Sequence, residues 1–79
     1  MSKEKPEVGD VWENDDGVRI VFICVNDYYL EYMEHREVLT ESFDIYRVKA
    51  GCNAWKNGRK YLGKSKANIN QLFEVLDDN

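Results

Sequence analysis

The chain has 79 residues, of which 43% are hydrophobic, 13% aromatic and 33% charged. Its length excludes two-domain enzymes and large cofactor-binding folds, because a domain usually has roughly 100 to 200 residues, and its composition is that of a globular chain rather than a disordered one. The formal net charge at pH 7 is −4, with acidic and basic residues unevenly distributed.

The sequence predicts one folded domain, residues 8–76, between a flexible N-terminal tail, 1–7, and an acidic C-terminal tail, 77–79. No apolar run has the length of a signal peptide or a membrane span. We therefore expect a cytoplasmic protein without membrane contact. Cys24 and Cys52 are far apart and have no second pair with which to form a zinc site, so neither metal nor cofactor is expected. The apolar neighbours of Cys24 predict a small buried side chain.

The first predicted elements are a short strand at 8–12 and a longer one at 18–25. Asp15-Asp16-Gly17 predicts the turn between them, because glycine accepts the positive φ that tight hairpins need. The longer strand alternates imperfectly, with one face formed by Val18, Ile20, Phe22 and Cys24 and the other by Arg19, Val21, Ile23 and Val25. Apolar residues on both faces indicate a central strand covered on both sides.

A third strand is predicted at 28–34, after a two-residue loop at Asn26-Asp27. Its two faces carry Tyr28, Leu30 and Tyr32 on one side and Tyr29, Glu31 and Met33 on the other. Residues 36–43 fit either a loop or one short helix; Thr40 suits a helix cap, but Phe43 stands where a capping box has Glu or Gln. Alternation returns at Asp44, with Tyr46, Val48 and Ala50 opposite Ile45, Arg47 and Lys49.

Asn57-Gly58 is the strongest short-range hairpin signal in the chain, because a type I′ turn needs positive φ at both central residues. A two-residue loop at this point would place Trp55 opposite Lys60. The C-terminal part leaves two interpretations open. One is a short helix from Ser65 with apolar residues at helical spacing, namely Ile69, Leu72, Phe73 and Leu76; the other is a closing strand at 73–76 after a single turn.

Five short strands separated by Gly and Asp turns favour a mainly β fold: a small SH3-like barrel or a strongly bent antiparallel sheet, with a short C-terminal helix or helical turn. Val8-Gly9-Asp10-Val11-Trp12, the Asp16-Gly17 turn and the strand 18–25 together resemble the start of small SH3-like barrels found among phage and prophage accessory proteins. The resemblance ends before Arg36. It implies a phage-type accessory protein that acts on a host protein, and it assigns no functional residue.

Gly58 to Ser65 matches the P-loop pattern G-x-x-x-x-G-K-[ST]. A P-loop needs a buried parallel strand before it and a helix after it, whereas residues 52–57 are a poor buried strand and only 14 residues follow Ser65. We therefore expect no nucleotide site. His35 lies in a charged run without a nearby nucleophile and is expected to be solvated. No group of residues predicts an enzyme.

The charges are segregated along the chain. Residues 1–44 carry twelve acidic and four basic side chains, and residues 45–73 carry seven basic side chains and no acidic one. One interpretation is that the basic segment packs beside the acidic one and neutralises it. The other is a nucleic-acid site, in which cations follow phosphates and aromatic rings stack on bases; its candidate residues are Arg47, Lys49, Trp55, Lys56, Arg59, Lys60 and Tyr61.

The acidic segment provides the preferred site. Carboxylates that follow a tyrosine-rich strand suit docking on a basic groove of a protein, and tyrosine is enriched at binding hot spots. The candidate protein-binding residues are Tyr29, Glu31, Met33, Glu34 and Glu37. We therefore expect a non-enzymatic binding module whose partner is a host protein, with nucleic acid as the alternative partner. The sequence does not determine an oligomeric state.

Overall fold

The computed structural model describes residues 5–37, 42–66, 68 and 71–76. These residues form one sheet of five antiparallel strands: β1 Asp10–Asn14, β2 Arg19–Val25, β3 Tyr29–Glu37, β4 Ser42–Lys49 and β5 Arg59–Lys64. The strand order is β4-β3-β2-β1-β5, so β1 to β4 form a meander and β5 returns to pair with β1. A 3-10 turn, Ala54–Lys56, lies between β4 and β5. The predicted mainly β fold is confirmed, and this arrangement is consistent with a small SH3-like barrel.

The turn between β1 and β2 forms where the sequence predicts it. Asn14 Oδ1 accepts hydrogen bonds from the backbone N–H groups of Asp16 and Val18, both at 2.9 Å. Gly17 has a φ of 82°, which a residue with a Cβ adopts only with strain. The local side chain and the glycine therefore reverse the chain together.

β2 is the middle strand and is covered on both faces, as its apolar pattern predicts. The tryptophan face of the sheet carries a buried cluster of Trp12, Ile20, Phe22, Leu30, Tyr32 and Trp55. The opposite face, which we call the tail face, carries a second cluster of Val11, Val21 and Met33. Three residues of the C-terminal segment pack against this second cluster: Leu72, Phe73 and Val75.

A β-bulge in β2 alters the predicted alternation. The register with β3 shifts between Phe22 and Cys24, so that Val25 packs with the tryptophan-face cluster instead of with Val21. Ile23 lies in the bulge and is 39% exposed. Cys24, predicted to be buried, is only half-buried.

The loop between β2 and β3 is one residue later than predicted. Asn26 donates its backbone N–H to the Tyr29 carbonyl, and its Oδ1 accepts from the N–H groups of Tyr28 and Tyr29. The loop residues are therefore Asp27 and Tyr28. The predicted faces of β3 are confirmed, since Leu30 lies in the tryptophan-face cluster and Met33 in the tail-face cluster.

The segment 36–43 is not a single loop or helix. β3 continues to Glu37 and β4 begins at Ser42, so both ends of the segment are strand. Thr40, the predicted cap, lies outside the described residues.

The predicted hairpin at Asn57-Gly58 is wrong. Asn57 has φ −63° and ψ 126°, and Gly58 has φ 72°, which are the dihedrals of a type II turn rather than type I′. The turn connects the 3-10 turn to β5, and β5 pairs with β1. Trp55 therefore does not face Lys60 across a β-ribbon, because the aromatic side chain is buried in the core instead.

The C-terminal segment crosses the tail face and ends in a short antiparallel contact. Ser65 and Val75 form an isolated β-bridge, and the Ser65 hydroxyl donates to the Leu72 carbonyl at 2.6 Å. This arrangement resembles the predicted closing strand after a turn, and the described residues of this segment contain no helix. Ile69 lies outside the described residues.

Candidate functional site

Tyr29, Glu31 and Arg47 form a compact group on the tail face where β3 pairs with β4. The register places Glu31 directly opposite Arg47. Arg47 donates to Glu31 Oε2 from Nε and from one terminal nitrogen, at 3.0 and 2.9 Å, and its guanidinium lies 4.3 Å from the centre of the Tyr29 ring. The hydrogen bond to Glu31 raises the pKa of Arg47. The group is therefore fixed by contacts among its own members.

Three exposed apolar side chains lie on the same or neighbouring strands: two on β4, the strand of Arg47, and one in the β2 bulge beside Cys24, which pairs with Glu31. Ile45 and Phe43, two positions apart on β4, are 59% and 46% exposed, and Ile23 on β2 is 39% exposed. Ile45 pairs with the buried Met33, and Phe43 pairs with His35. We call the six residues the tail-face patch: Ile23, Tyr29, Glu31, Phe43, Ile45 and Arg47.

The tail-face patch borders the part of the sheet that the C-terminal segment covers. Phe73 stacks on His35, with ring centroids 4.6 Å apart and an angle of 13° between the planes. The sequence predicts that His35 is solvated, and this prediction is wrong. His35 packs on Phe73 at the limit of the area that the C-terminal segment covers. Beyond it the apolar surface continues across Phe43 and Ile45 without a cover from the described residues.

The predicted protein-binding residues are only partly together. Tyr29 and Glu31 belong to the tail-face patch, but Met33 is 8% exposed and packs in the core, so it is not a contact residue. Glu34 pairs with Arg59 and lies on the opposite face from Glu31. The side chain of Glu37 lies outside the described residues. The predicted row of carboxylates is therefore divided between the two faces of the sheet.

The predicted nucleic-acid site loses its stacking residue. Trp55 is 5% exposed and packs edge-on against Trp12 and Phe22, so its ring is not available to a base. Tyr61 packs against Trp12, with ring centroids 5.6 Å apart. Arg59 donates to the Trp55 carbonyl at 2.6 Å and to Glu34 at 2.7 Å. The sequence placed these side chains on a hairpin surface, whereas the fold uses them in packing.

Cations of the basic segment, residues 45–73, form ion pairs with carboxylates from other parts of the chain. Within the described part of the chain, at least four of its seven cations form ion pairs with carboxylates from outside the segment: Arg47 with Glu31, Arg59 with Glu34, Lys64 with Glu7 and Asp10, and Lys66 with Glu74. Lys49, Lys56 and Lys60 are exposed or half-buried side chains at separate positions on β4, the 3-10 turn and β5. This geometry supports the internally complementary interpretation of the charge pattern.

A lysine shared by two carboxylates holds Glu7 and the start of β1 against β5. Lys64 Nζ lies 2.8 Å from Asp10 Oδ1 and 2.8 Å from Glu7 Oε1. Asp10 is fully buried, and its Oδ2 also accepts the Glu7 backbone N–H. The hydrogen bonds to Asp10 and Glu7 raise the pKa of Lys64 to about 12. Lys64 thus has a structural role here.

The P-loop string does not form a phosphate-binding loop. Residues 59–64 are strand β5, and the two residues that would contact phosphate and Mg²⁺ are engaged elsewhere, Lys64 with Asp10 and Ser65 with Leu72. Among the described residues no group of three or more His, Cys, Asp or Glu is placed to hold a metal ion. In that same part of the chain no helix has the length and apolarity to span a membrane.

Sequence reasoning missed the apolar members of the tail-face patch. Alternation correctly placed Ile45 on the face of Arg47 and opposite Tyr46. It did not indicate that β4 is an edge strand, where an outward isoleucine remains exposed. The sequence did offer one indication that these side chains are exposed: Phe43 and Ile45 lie among charged residues, and no further apolar segment was predicted to cover them.

Three comparisons with known proteins give this chain no relative: no family model, no curated protein and no solved structure matches it.

Proposed function

We propose that this chain is a non-enzymatic binding module that docks on a host protein through the tail-face patch, as a phage-type accessory protein. The observation that carries the proposal is the row of exposed apolar side chains beside the Tyr29–Glu31–Arg47 group. Large apolar side chains clustered on one surface are typical of protein-binding sites. Apolar residues that are exposed singly are common on protein surfaces and do not indicate a binding site.

The patch has the composition of a protein contact surface. Tyrosine and arginine are enriched at binding hot spots, and here Arg47 already lies on the Tyr29 ring, so little side-chain freedom is lost on binding. Glu31 neutralises Arg47, which lowers the charge that a partner must desolvate. The partner surface is therefore expected to be mainly apolar with a polar rim, rather than the basic groove that the sequence suggested.

The charge distribution disfavours nucleic acid as the partner. Affinity for nucleic acid depends on cations free to replace the counterions of phosphates. At least four of the seven cations in the basic segment are paired with described residues of the chain, and the net charge is negative. A folded chain that kept these ion pairs would present few contacts to a polyanion.

The proposal is tested by affinity capture from a lysate of the host with the full chain as bait. Ile23→Glu places a charge in the patch without removing a buried side chain. We expect a captured protein to bind the wild-type chain and to be lost, at least tenfold, with Ile23→Glu. Purified partner and bait then allow the affinity to be measured by calorimetry.

Leu76→Glu is the matched control, because Leu76 is 49% exposed and hydrogen-bonds to β5, at the edge of the sheet opposite β4. Capture should be unchanged with this variant. Equal capture by all three chains, or no specific capture by the wild type at either low or moderate salt, would contradict the proposal. Circular dichroism confirms that each variant is folded.

A further inference from the structure

Among the residues that the structure describes, none pairs with the outer edge of β4 along its central residues. The register between β3 and β4 is regular from the Tyr29–Lys49 pair to the His35–Phe43 pair. Ala50 donates its N–H to the Tyr28 carbonyl at 3.1 Å, which makes Tyr28–Ala50 a hydrogen-bonded pair. Hydrogen-bonded and non-hydrogen-bonded pairs alternate in an antiparallel ladder. The backbone groups of Phe43, Ile45 and Arg47 therefore point away from β3.

The other edge strand, β5, is protected. Leu76 donates its N–H to the Lys64 carbonyl, and Val75 forms the bridge with Ser65, so the C-terminal segment covers the end of β5. The strand also carries Lys60 among its charged residues, and charged residues discourage edge pairing. On β4, by contrast, the described residues supply no hydrogen-bond partner for the outward groups of residues 43, 45 and 47.

We propose that β4 pairs with β4 of a second copy of this chain, antiparallel and about a two-fold axis at Ile45, so that two sheets form one ten-stranded sheet. Residues that face each other across such an axis lie on the same face of the sheet. Ile45 then faces Ile45 of the second copy. Phe43 of each copy faces Arg47 of the other copy, so this pair occurs twice in the dimer. Apolar side chains meet each other, each cation meets an aromatic ring, and no like charges are opposed on the tail face.

The turn after β4 selects this register over the neighbouring one. An axis at Tyr46 would pair Phe43 with Lys49 and use the Lys49 carbonyl in the new ladder. That carbonyl already accepts the Cys52 N–H at 2.9 Å, where the chain turns away from the edge. With the axis at Ile45 the ladder needs only residues 43–47, all of which lie before the turn.

The dimer and the proposed function share Phe43, Ile45 and Arg47, but edge pairing joins the β4 backbones and leaves the tail face of each sheet accessible, so the two proposals are tested by separate measurements. Sedimentation equilibrium of the full chain at increasing concentrations up to about 500 µM should fit a monomer–dimer equilibrium, with a weight-average mass that rises from 9.3 kDa toward twice that value. Ile45→Lys and Ile45→Glu should each give the monomer mass, since like charges meet at the axis. Mixing the two variants in equal amounts should restore the dimer.

Ile23→Lys is the matched control, since it adds the same charge on the tail face but away from the β4 edge, and it should remain dimeric. The register is tested in a Cys24→Ser, Cys52→Ser background: Ile45→Cys should form a disulfide-linked dimer on oxidation, and Tyr46→Cys should not. A wild-type chain that stays monomeric at about 500 µM, a mixture that stays monomeric, or crosslinking through Tyr46→Cys alone would overturn the proposal.

Discussion

Trp12 and Trp55 meet edge to face, with ring centroids 4.9 Å apart and an angle of 89° between the planes. Phe22 makes a similar contact with Trp55 at 4.8 Å. The 3-10 turn between β4 and β5 is thereby anchored to β1 and β2 by aromatic packing. Since aromatic pairs in this geometry add about 0.5–1.5 kcal/mol to the burial of their area, this contact fixes the path of the chain between the two edge strands.

Trp55→Ala is expected to lower the free energy of unfolding by about 3–5 kcal/mol, because it removes a buried indole and leaves a cavity between Trp12 and Phe22. Urea denaturation followed by circular dichroism measures the change. Tyr28→Ala, at a side chain that is 82% exposed, should change the free energy by less than about 0.5 kcal/mol. A Trp55→Ala chain as stable as the wild type would contradict the burial described here.

Gly63→Ala should destabilise the chain and release the C-terminal segment. Gly63 has a φ of 146°, and a Cβ at this position would lie 2.5 Å from Val75 Cγ1. We expect a loss of about 1–3 kcal/mol in thermal or urea unfolding.

Two further variants separate the steric part of this effect from the backbone part. In a Val75→Ala background, which removes the contact, Gly63→Ala should cost only the part of the loss that comes from φ. Gly51→Ala, where the added Cβ meets nothing within 4 Å, should be neutral or slightly stabilising. If Gly63→Ala and Gly51→Ala unfold at the same temperature, the C-terminal segment does not pack on β5 as described.

Stability should fall between about pH 10.5 and pH 12 through Lys64. Its pKa is raised from 10.5 to about 12 in the folded chain by Asp10 and Glu7. A raised folded-state pKa means that the ion pairs stabilise the fold fully below the unfolded pKa, and that this contribution is lost as the pH rises through the folded pKa. The free energy of unfolding should therefore decrease across this window.

Lys64→Gln tests the assignment, because glutamine keeps a hydrogen-bond donor but does not titrate. Other lysines and tyrosines also titrate at high pH, so the informative quantity is the difference between wild type and variant at each pH. That difference should shrink as the pH rises from about 10.5 to 12. A difference that stays constant across the window would show that Lys64 is not the titrating group.

Arg59→Lys should be destabilising although the charge is kept. One guanidinium nitrogen donates to the Trp55 carbonyl and another to Glu34, and an ammonium group does not reproduce both bonds. The side chain is only 13% exposed, so we expect a loss of about 1–3 kcal/mol. Arg47→Lys, at a pair whose arginine is 62% exposed, should change stability less than Arg59→Lys does. The reverse order of effects in urea unfolding would contradict this assignment.

Local patterns decided several parts of this fold. The apolar residues on both faces of 18–25 predicted a central strand, and Asn14 to Gly17 form the expected turn with their own side-chain and backbone groups. Period-2 alternation alone also predicts that Leu30 and Met33 lie on opposite faces of the sheet. These features depend on residues that are close together in the sequence, so local sequence patterns are enough to predict them.

The tertiary structure decided which distant segments meet. Asn57-Gly58 carries the sequence of a hairpin, yet the chain forms a type II turn into β5 there, because Trp55 gains more from burial against Trp12 than an exposed ribbon would provide. The charge segregation was plain in the sequence, but its cancellation depended on β5 pairing with β1 and β4 with β3. Pairing between segments remote in sequence follows from the packing of the whole core, which no local pattern encodes.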